Sequence, residues 1–402
     1  MRIKRGAPIR ATLLILLIVS ISLLPTRLEA TTGTCGMASI TIPFADVDPG
    51  SLFFCSIAEA YFSGLTNGTA PGTYSPEAIV TREQIAAFVT RSMDQSLMRG
   101  SRRAALNRFW TNQGGTNLAL TTLPPSSSPQ MVKSDGADLW VANPGTATVL
   151  RVRASDGKLS TDMWTGATGA FGVLVALGKV FIAGTGSPGH VYSLDPTLPG
   201  TTVTTVGSVG NALGIAFDGQ RIWTSNQGTG SVSIVTLPST VNTVSTGFTN
   251  LSGIVFDGTN MWVTDNIGAV DKLRQLNSSG GILQSIDVGD DPRFPAFDGT
   301  NIWVPNNASN SVTVVRAIGS LAGTPLATLT GNGLSGPWAA AFDGQRILVT
   351  NISGSSISLW NASDLTPIGT FPTGASTSPQ GVCSDGVNFF VSLTGANKLA
   401  RF

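Results

Sequence analysis

The chain of 402 residues is short of the side chains that most enzyme sites need. It holds one histidine, His190, and three cysteines, Cys35, Cys55 and Cys383. No Cys/His metal cluster can be assembled from these. No Ser/His/Asp set has usable spacing, and no glycine loop follows a strand and opens a helix in the way phosphate binding requires. Charged residues make up only 12% of the chain. The net charge is +1, but residues 1–30 hold five basic groups and one acid, so the remainder carries −3. A slightly acidic chain offers no global attraction to nucleic acid. Beyond Pro25 no apolar run is long enough to cross a bilayer, so no transmembrane helix is expected in the mature chain. No cofactor is expected either.

What the chain does have begins with a leader. Arg2, Lys4, Arg5 and Arg10 precede an apolar run from Ala11 to Pro25, and Leu28-Glu-Ala30 supplies a small-residue end. This reads as a secretory signal over residues 1–30, with a mature start near Thr31; an uncleaved anchor is the alternative. The expected location is the cell envelope, the cell surface or the medium. In an oxidising compartment Cys35 and Cys55 are candidates for a disulfide. Cys383 falls on a predicted inner strand, as a small buried hydrophobe.

Glycine is abundant, with 47 residues, and much of it sits in a repeat. The clearest copies are Gly214-Ile-Ala-Phe-Asp-Gly-Gln-Arg-Ile-Trp223, Gly253-Ile-Val-Phe-Asp-Gly-Thr-Asn-Met-Trp262 and Phe294-Pro-Ala-Phe-Asp-Gly-Thr-Asn-Ile-Trp303. Looser copies begin at Gln130, Gly172, Ala339 and Gly381. The turn anchors are Asp135, Leu177, Asp218, Asp257, Asp298, Asp343 and Asp385, separated by 42, 41, 39, 41, 45 and 42 residues. Strand-turn-strand content at a period near 40 defines a β-propeller. The predicted class is mainly β: a seven-bladed propeller over 117–402 with a small N-terminal helical domain. Trp140, Trp223, Trp262 and Trp303 share one register, which assigns them to packing between blades rather than to sugar stacking. The last repeat has sequence for only three strands. Asn117–Leu123 alternates suitably to supply the fourth against Leu399–Phe402 and so close the ring.

Residues 40–98 have a different texture. Leu52, Phe53, Ile57, Ala58 and Tyr61 mark a helix over 51–63. Thr81-Arg-Glu-Gln84 is a capping box that opens a second helix, with Ile85, Phe88, Val89 and Met93 as its apolar face. Phe44-Ala-Asp-Val47, Gly64-Leu-Thr-Asn-Gly68, Tyr74-Ser-Pro76 and Val80-Thr-Arg-Glu-Gln84 together resemble a single S-layer homology domain. The resemblance implies attachment to acidic cell-wall polysaccharide. By the same resemblance Arg82 meets the acidic group, and Thr81, Glu83 and Asp46 act as structural or hydrogen-bonding neighbours. A guanidinium suits that task because it grips a carboxylate through two parallel N–H bonds. Such domains usually come in three tandem copies; here there is one. A linker over 99–116 carries Arg99, Arg102, Arg103 and Arg108, read mainly as a solvated face.

The repeats over 117–402 resemble secreted bacterial propellers with YVTN-type and NHL-like repeats, and streptogramin lyases. The carriers are segments such as Ile302-Trp-Val-Pro-Asn306 followed by Ser311-Val-Thr-Val314. Catalysis on such a scaffold implies a metal cage or a general base near the central channel. His190, in Gly189-His-Val-Tyr192, is placed on a third strand away from the axis. The weak metal candidates are Asp265, beside Asn266, and Asp290 and Asp291, close to Arg293, since acidic oxygens can hold a cation. The leading expectation is an exported envelope protein. Its helical module contacts cell-wall polysaccharide, and its propeller binds an unidentified protein or small molecule. The alternative is a propeller enzyme of the streptogramin-lyase or lactonase type.

Overall fold

In the computed structural model, which describes residues 30–35, 38–62, 66–81, 85, 119–268 and 270–402, the repeats form seven four-stranded antiparallel sheets. Blade 3 shows the pattern: Asn211–Phe217, Ile222–Gln227, Ser231–Thr236 and Thr240–Val244 pair in chain order. The first strand of each blade contacts the first strands of its neighbours, and Pro379–Ser384 of blade 7 contacts Val132–Ser134 of blade 1. Seven first strands therefore encircle one axis, as a seven-bladed propeller requires. Because the strands alternate in direction, the links between blades lie on one face. The Asp-Gly turns lie on the other.

The Asp-Gly-x-x-x-Trp spacing has a chemical cause. In blade 4 Asp257 Oδ1 accepts the backbone N–H of Thr259 and Asn260, both at 2.7 Å, while Oδ2 accepts the Trp262 indole N–H at 2.6 Å. Asp135 with Trp140, Asp218 with Trp223, and Asp298 with Trp303 repeat the clasp at 2.7–2.8 Å. The glycine after the aspartate takes φ of 93–97° in these four turns, which a side chain would strain. Blade 2 manages without the aspartate: Leu177 and Gly178 both have positive φ, the geometry of a tight two-residue hairpin. The four tryptophans are fully buried, and each packs on the next blade; Trp223 lies against Leu251, Ile254 and Val263.

Hydroxyls near the end of the second strand pin blades together. Ser225 Oγ accepts the N–H of Gly214 in its own blade and donates to the Ser252 carbonyl of the next. Thr264, Thr350 and Ser392 do the same towards Arg293, Gln380 and Gln130. The glycines that begin several repeats let backbones approach this closely. A Cβ on Gly172 would stand 2.5 Å from the Leu213 carbonyl oxygen.

The ring closes as the truncated last repeat requires. Ala119–Thr122 pairs antiparallel with Lys398–Arg401, in the register Leu120 to Ala400, and completes blade 7. Cys383 lies on the inner strand of that blade, and burial pushes its thiol up to about 12.

The N-terminal unit is described by itself. It opens with a hairpin, Thr31–Cys35 paired with Ala38–Ile42, that the helical pattern did not reveal. The helix runs Phe54–Phe62 and buries Phe54, Ile57 and Ala58. The expected apolar face is corrected at its start: Leu52 is 96% and Phe53 69% exposed, because both precede the first helical turn. Cys35 and Cys55 form a disulfide across 20 residues, tying the hairpin to this helix. So small an apolar cluster, with Phe44, Phe54 and Ile57 at its centre, gains from such a constraint. Residues 1–29 of the expected leader over 1–30, Arg82, Glu83, Gln84, the face formed by Phe88, Val89 and Met93, and the linker arginines lie outside the described residues. Among the described residues no helix is long and apolar enough to cross a membrane.

Candidate functional site

The axis ends in a closed mouth on the face that carries the inter-blade links. The residue five or six places before each turn anchor lies at or just before the start of the first strand there: Gln130, Phe171, Leu213, Ser252, Arg293, Trp338 and Gln380. The pinning hydroxyls hold four of these backbones, so the scaffold repeats while the side chain varies. Phe171 of blade 2 meets Phe294 at the start of blade 5, with ring centroids 5.6 Å apart. Those blades are not neighbours, so the contact crosses the channel. Phe294 in turn lies 5.9 Å from Trp338, and Met131 and Leu213 join the same apolar cluster. Beneath it the channel narrows to a cavity of 60 Å³ lined largely by Gly, Ala, Val and Ile.

One charged group stands in this ring. The Arg293 guanidinium lies 4.6 Å from the Trp338 ring centre, a cation–π distance. Asp291 Oδ2 accepts its Nε and Nη2 at 3.0 and 2.6 Å, and Asp291 Oδ1 accepts the Asn266 amide. Asp271 accepts the Asp291 backbone N–H and those of Ile267 and Gly268. Arg293 is thus oriented by a buttress built from the loops of blade 4. The Trp338 indole nitrogen is buried with no hydrogen-bond partner among the described residues.

The three acidic metal candidates do not converge. Asp265 is fully buried; its Oδ1 takes the N–H groups of Thr249 and Asn250, and its Oδ2 pairs with Arg274 at 3.1 Å. Asp291 is committed to Arg293, and Asp290 is exposed. No group of three or more His, Cys, Asp or Glu able to hold an ion occurs among the described residues. His190 sits on the third strand of blade 2, its ring stacked on Tyr192 at 5.7 Å. In the N-terminal unit Asp46 clamps a loop: its two oxygens accept the N–H of Tyr74 and Ser75 at 2.8 and 2.7 Å. Burial alone would raise the Asp46 carboxyl, but those bonds outweigh it and hold it below the ordinary value. The Thr81 carbonyl accepts the Ile85 N–H, a single helical bond at 3.0 Å.

Sequence reasoning singled out Arg293 but missed Phe171, Phe294 and Trp338. The signal was present as variation at a fixed place in the repeat: Phe294 stands where four copies have glycine, Gly172, Gly214, Gly253 and Gly381.

No family model matches the chain, and no curated protein matches it in sequence. Among solved structures it is similar to virginiamycin B lyase from Staphylococcus aureus, with a TM-score of 0.60 and 14% identity over 71% of this chain and 98% of that one. A catalytically inactive variant of that lyase, with alanine for a histidine and solved with quinupristin, gives 0.58 and 15% over 71% and 98%. The WD40 propeller domain of Doa1 gives 0.57 and 14% over 70% and 95%. At these identities the likeness establishes the propeller fold and carries no function.

Proposed function

We propose that the chain is an exported cell-envelope protein whose propeller is a binding scaffold, recognising its ligand at the axial mouth, while the N-terminal module contacts acidic cell-wall polysaccharide through Arg82. The observation that carries the propeller half is the aromatic floor of Phe171, Phe294 and Trp338 with Arg293 held over Trp338. Aromatic faces beside a fixed guanidinium suit a partner with a flat apolar side and polar edges. Asp291, the one carboxylate that touches Arg293 among the described residues, is engaged in that pair. The module half is supported by the S-layer homology resemblance.

The fold likeness to streptogramin lyases favours a second reading, a propeller lyase. In the lyase, replacing a histidine gave an inactive variant. This chain's single histidine lies two strands out from its axis, so that chemistry has no counterpart at the mouth.

Sedimentation of full-length protein with peptide-free wall polysaccharide tests the proposal. Arg82→Ala should weaken retention roughly ten- to a hundredfold, the scale of a charge-assisted hydrogen bond. Lack of retention by the unmodified protein would remove wall attachment.

A further inference from the structure

On the face opposite the mouth, where the Asp-Gly turns lie, a cleft of 220 Å³ opens between blades 3 and 4. In blades 1, 5 and 6 the residue after the third strand donates its N–H back to the first turn: Ala154 to Ala137, Ala317 to Thr300 and Ala362 to Gln345, at 2.9–3.1 Å. The matching pair in blade 4 is Ser278 and Thr259. Asn277 keeps the hairpin bonds that Arg153, Arg316 and Asn361 make in those blades, here to Gly280 and Gly281. The Ser278 N–H and the Thr259 carbonyl make no bond within the protein, among the described residues, and both residues line the cleft.

The remaining walls define what fits. Arg221 contributes a guanidinium, but Asp218 Oδ2 takes its Nε at 2.9 Å and Ser278 O takes its Nη2 at 2.7 Å. Its charge is cancelled locally, which disfavours an acidic ligand. Phe256 and Met261 supply an apolar side, and the Gln220, Thr259 and Asn277 side chains supply polar groups. The volume falls below the roughly 300 Å³ at which drug-sized pockets begin, so it suits one ring rather than a chain.

We propose that this cleft binds a neutral N-acetylated sugar unit. An acetamido group carries the donor and acceptor needed to bridge the open Ser278 and Thr259 backbone groups, and a methyl for the wall of Phe256 and Met261. Ring hydroxyls pair with the surrounding side chains. The site is separate from the mouth, and the proposal does not depend on what the mouth binds.

Calorimetric titration of full-length protein with N-acetylglucosamine, glucose and glucuronic acid tests it. N-acetylglucosamine should bind saturably and at least about tenfold more tightly than either other sugar. Thr259→Trp and Gln220→Trp, on exposed turns at opposite walls, should each weaken it at least about tenfold without lowering the melting temperature. Trp338→Ala should leave it unchanged. The proposal is overturned by absence of saturable binding, by equal affinity for glucose, by tighter binding of glucuronic acid, or by indifference to both filling substitutions in folded protein.

Discussion

Asp265 and Arg274 form an ion pair where three other blades hold an amide and a hydroxyl. Asn226 bonds Ser233, Asn306 bonds Thr313 and Asn351 bonds Ser358 at the equivalent ladder positions, each at 2.9 Å. Blade 4 has exchanged both partners together. Asp265 is fully buried and the Arg274 side chain is 15% exposed, so removing one charge strands the other. Asp265→Asn alone should cost about 3 kcal/mol in urea unfolding. Adding Arg274→Ser recreates the arrangement of blade 3 and should recover most of that loss. Strictly additive costs would show that the two positions are not coupled.

The turn clasps predict a graded response. Among the described residues Asp257 Oδ2 has only the Trp262 indole as side-chain partner, whereas Asp218 Oδ2 also holds Arg221. Trp262→Phe should therefore lose more than Trp223→Phe, with about 2 kcal/mol for the stranded carboxylate oxygen. Burial by itself would raise the Asp218 carboxyl. The Trp223 indole, the Arg221 and Gln220 N–H groups and the Arg221 charge outweigh it and hold the carboxyl below 3.8. A depressed acid contributes stability that is fully present above the ordinary value and is lost as pH falls through the folded one. Asp218→Asn should flatten the acid limb of the stability profile below about pH 4; an unchanged limb assigns acid sensitivity to other groups.

Blade number, turn anchors and ring closure were legible because each is written locally and repeated. Asp-Gly-x-x-x-Trp encodes a turn, a clasp and a wedge of core in one short stretch. The mouth was not legible. Phe171 and Phe294 are more than a hundred residues apart and come from blades that are not neighbours, so only closure of the ring brings them together. The arginine partners of the acidic candidates were not legible for a related reason. Asp265 and Asp291 look like free acids in sequence, but their arginine partners are fixed by strand register and loop shape. The hairpin at Thr31–Ile42 lay outside the periodic patterns of the chain, in a stretch with neither the repeat nor a helical face.

Closure of the ring rests on few residues. Ala119–Thr122 is the outermost strand of blade 7, joined to the last strand of the chain, and Leu120 and Leu123 are 4% and 3% exposed. Thr121 donates to the Gly157 carbonyl of blade 1 at 2.6 Å, and the Asn397 side chain accepts the Ser128 N–H at 2.8 Å. Leu120→Ala should cost about 2–4 kcal/mol, the range for a buried leucine whose cavity cannot collapse. Leu120→Asp should do more, since a charge there cannot be buried and the strand is released. The edge of Lys398–Arg401 is then left open, and an open edge pairs with other chains. Association that rises with protein concentration, seen by light scattering, is the expected result. Leu326→Asp serves as the control: Leu326 is also on an outermost strand but is 41% exposed, and its replacement should stay within about 0.5 kcal/mol. Equal behaviour of the two variants would mean that the closing strand contributes no more than any other outer strand.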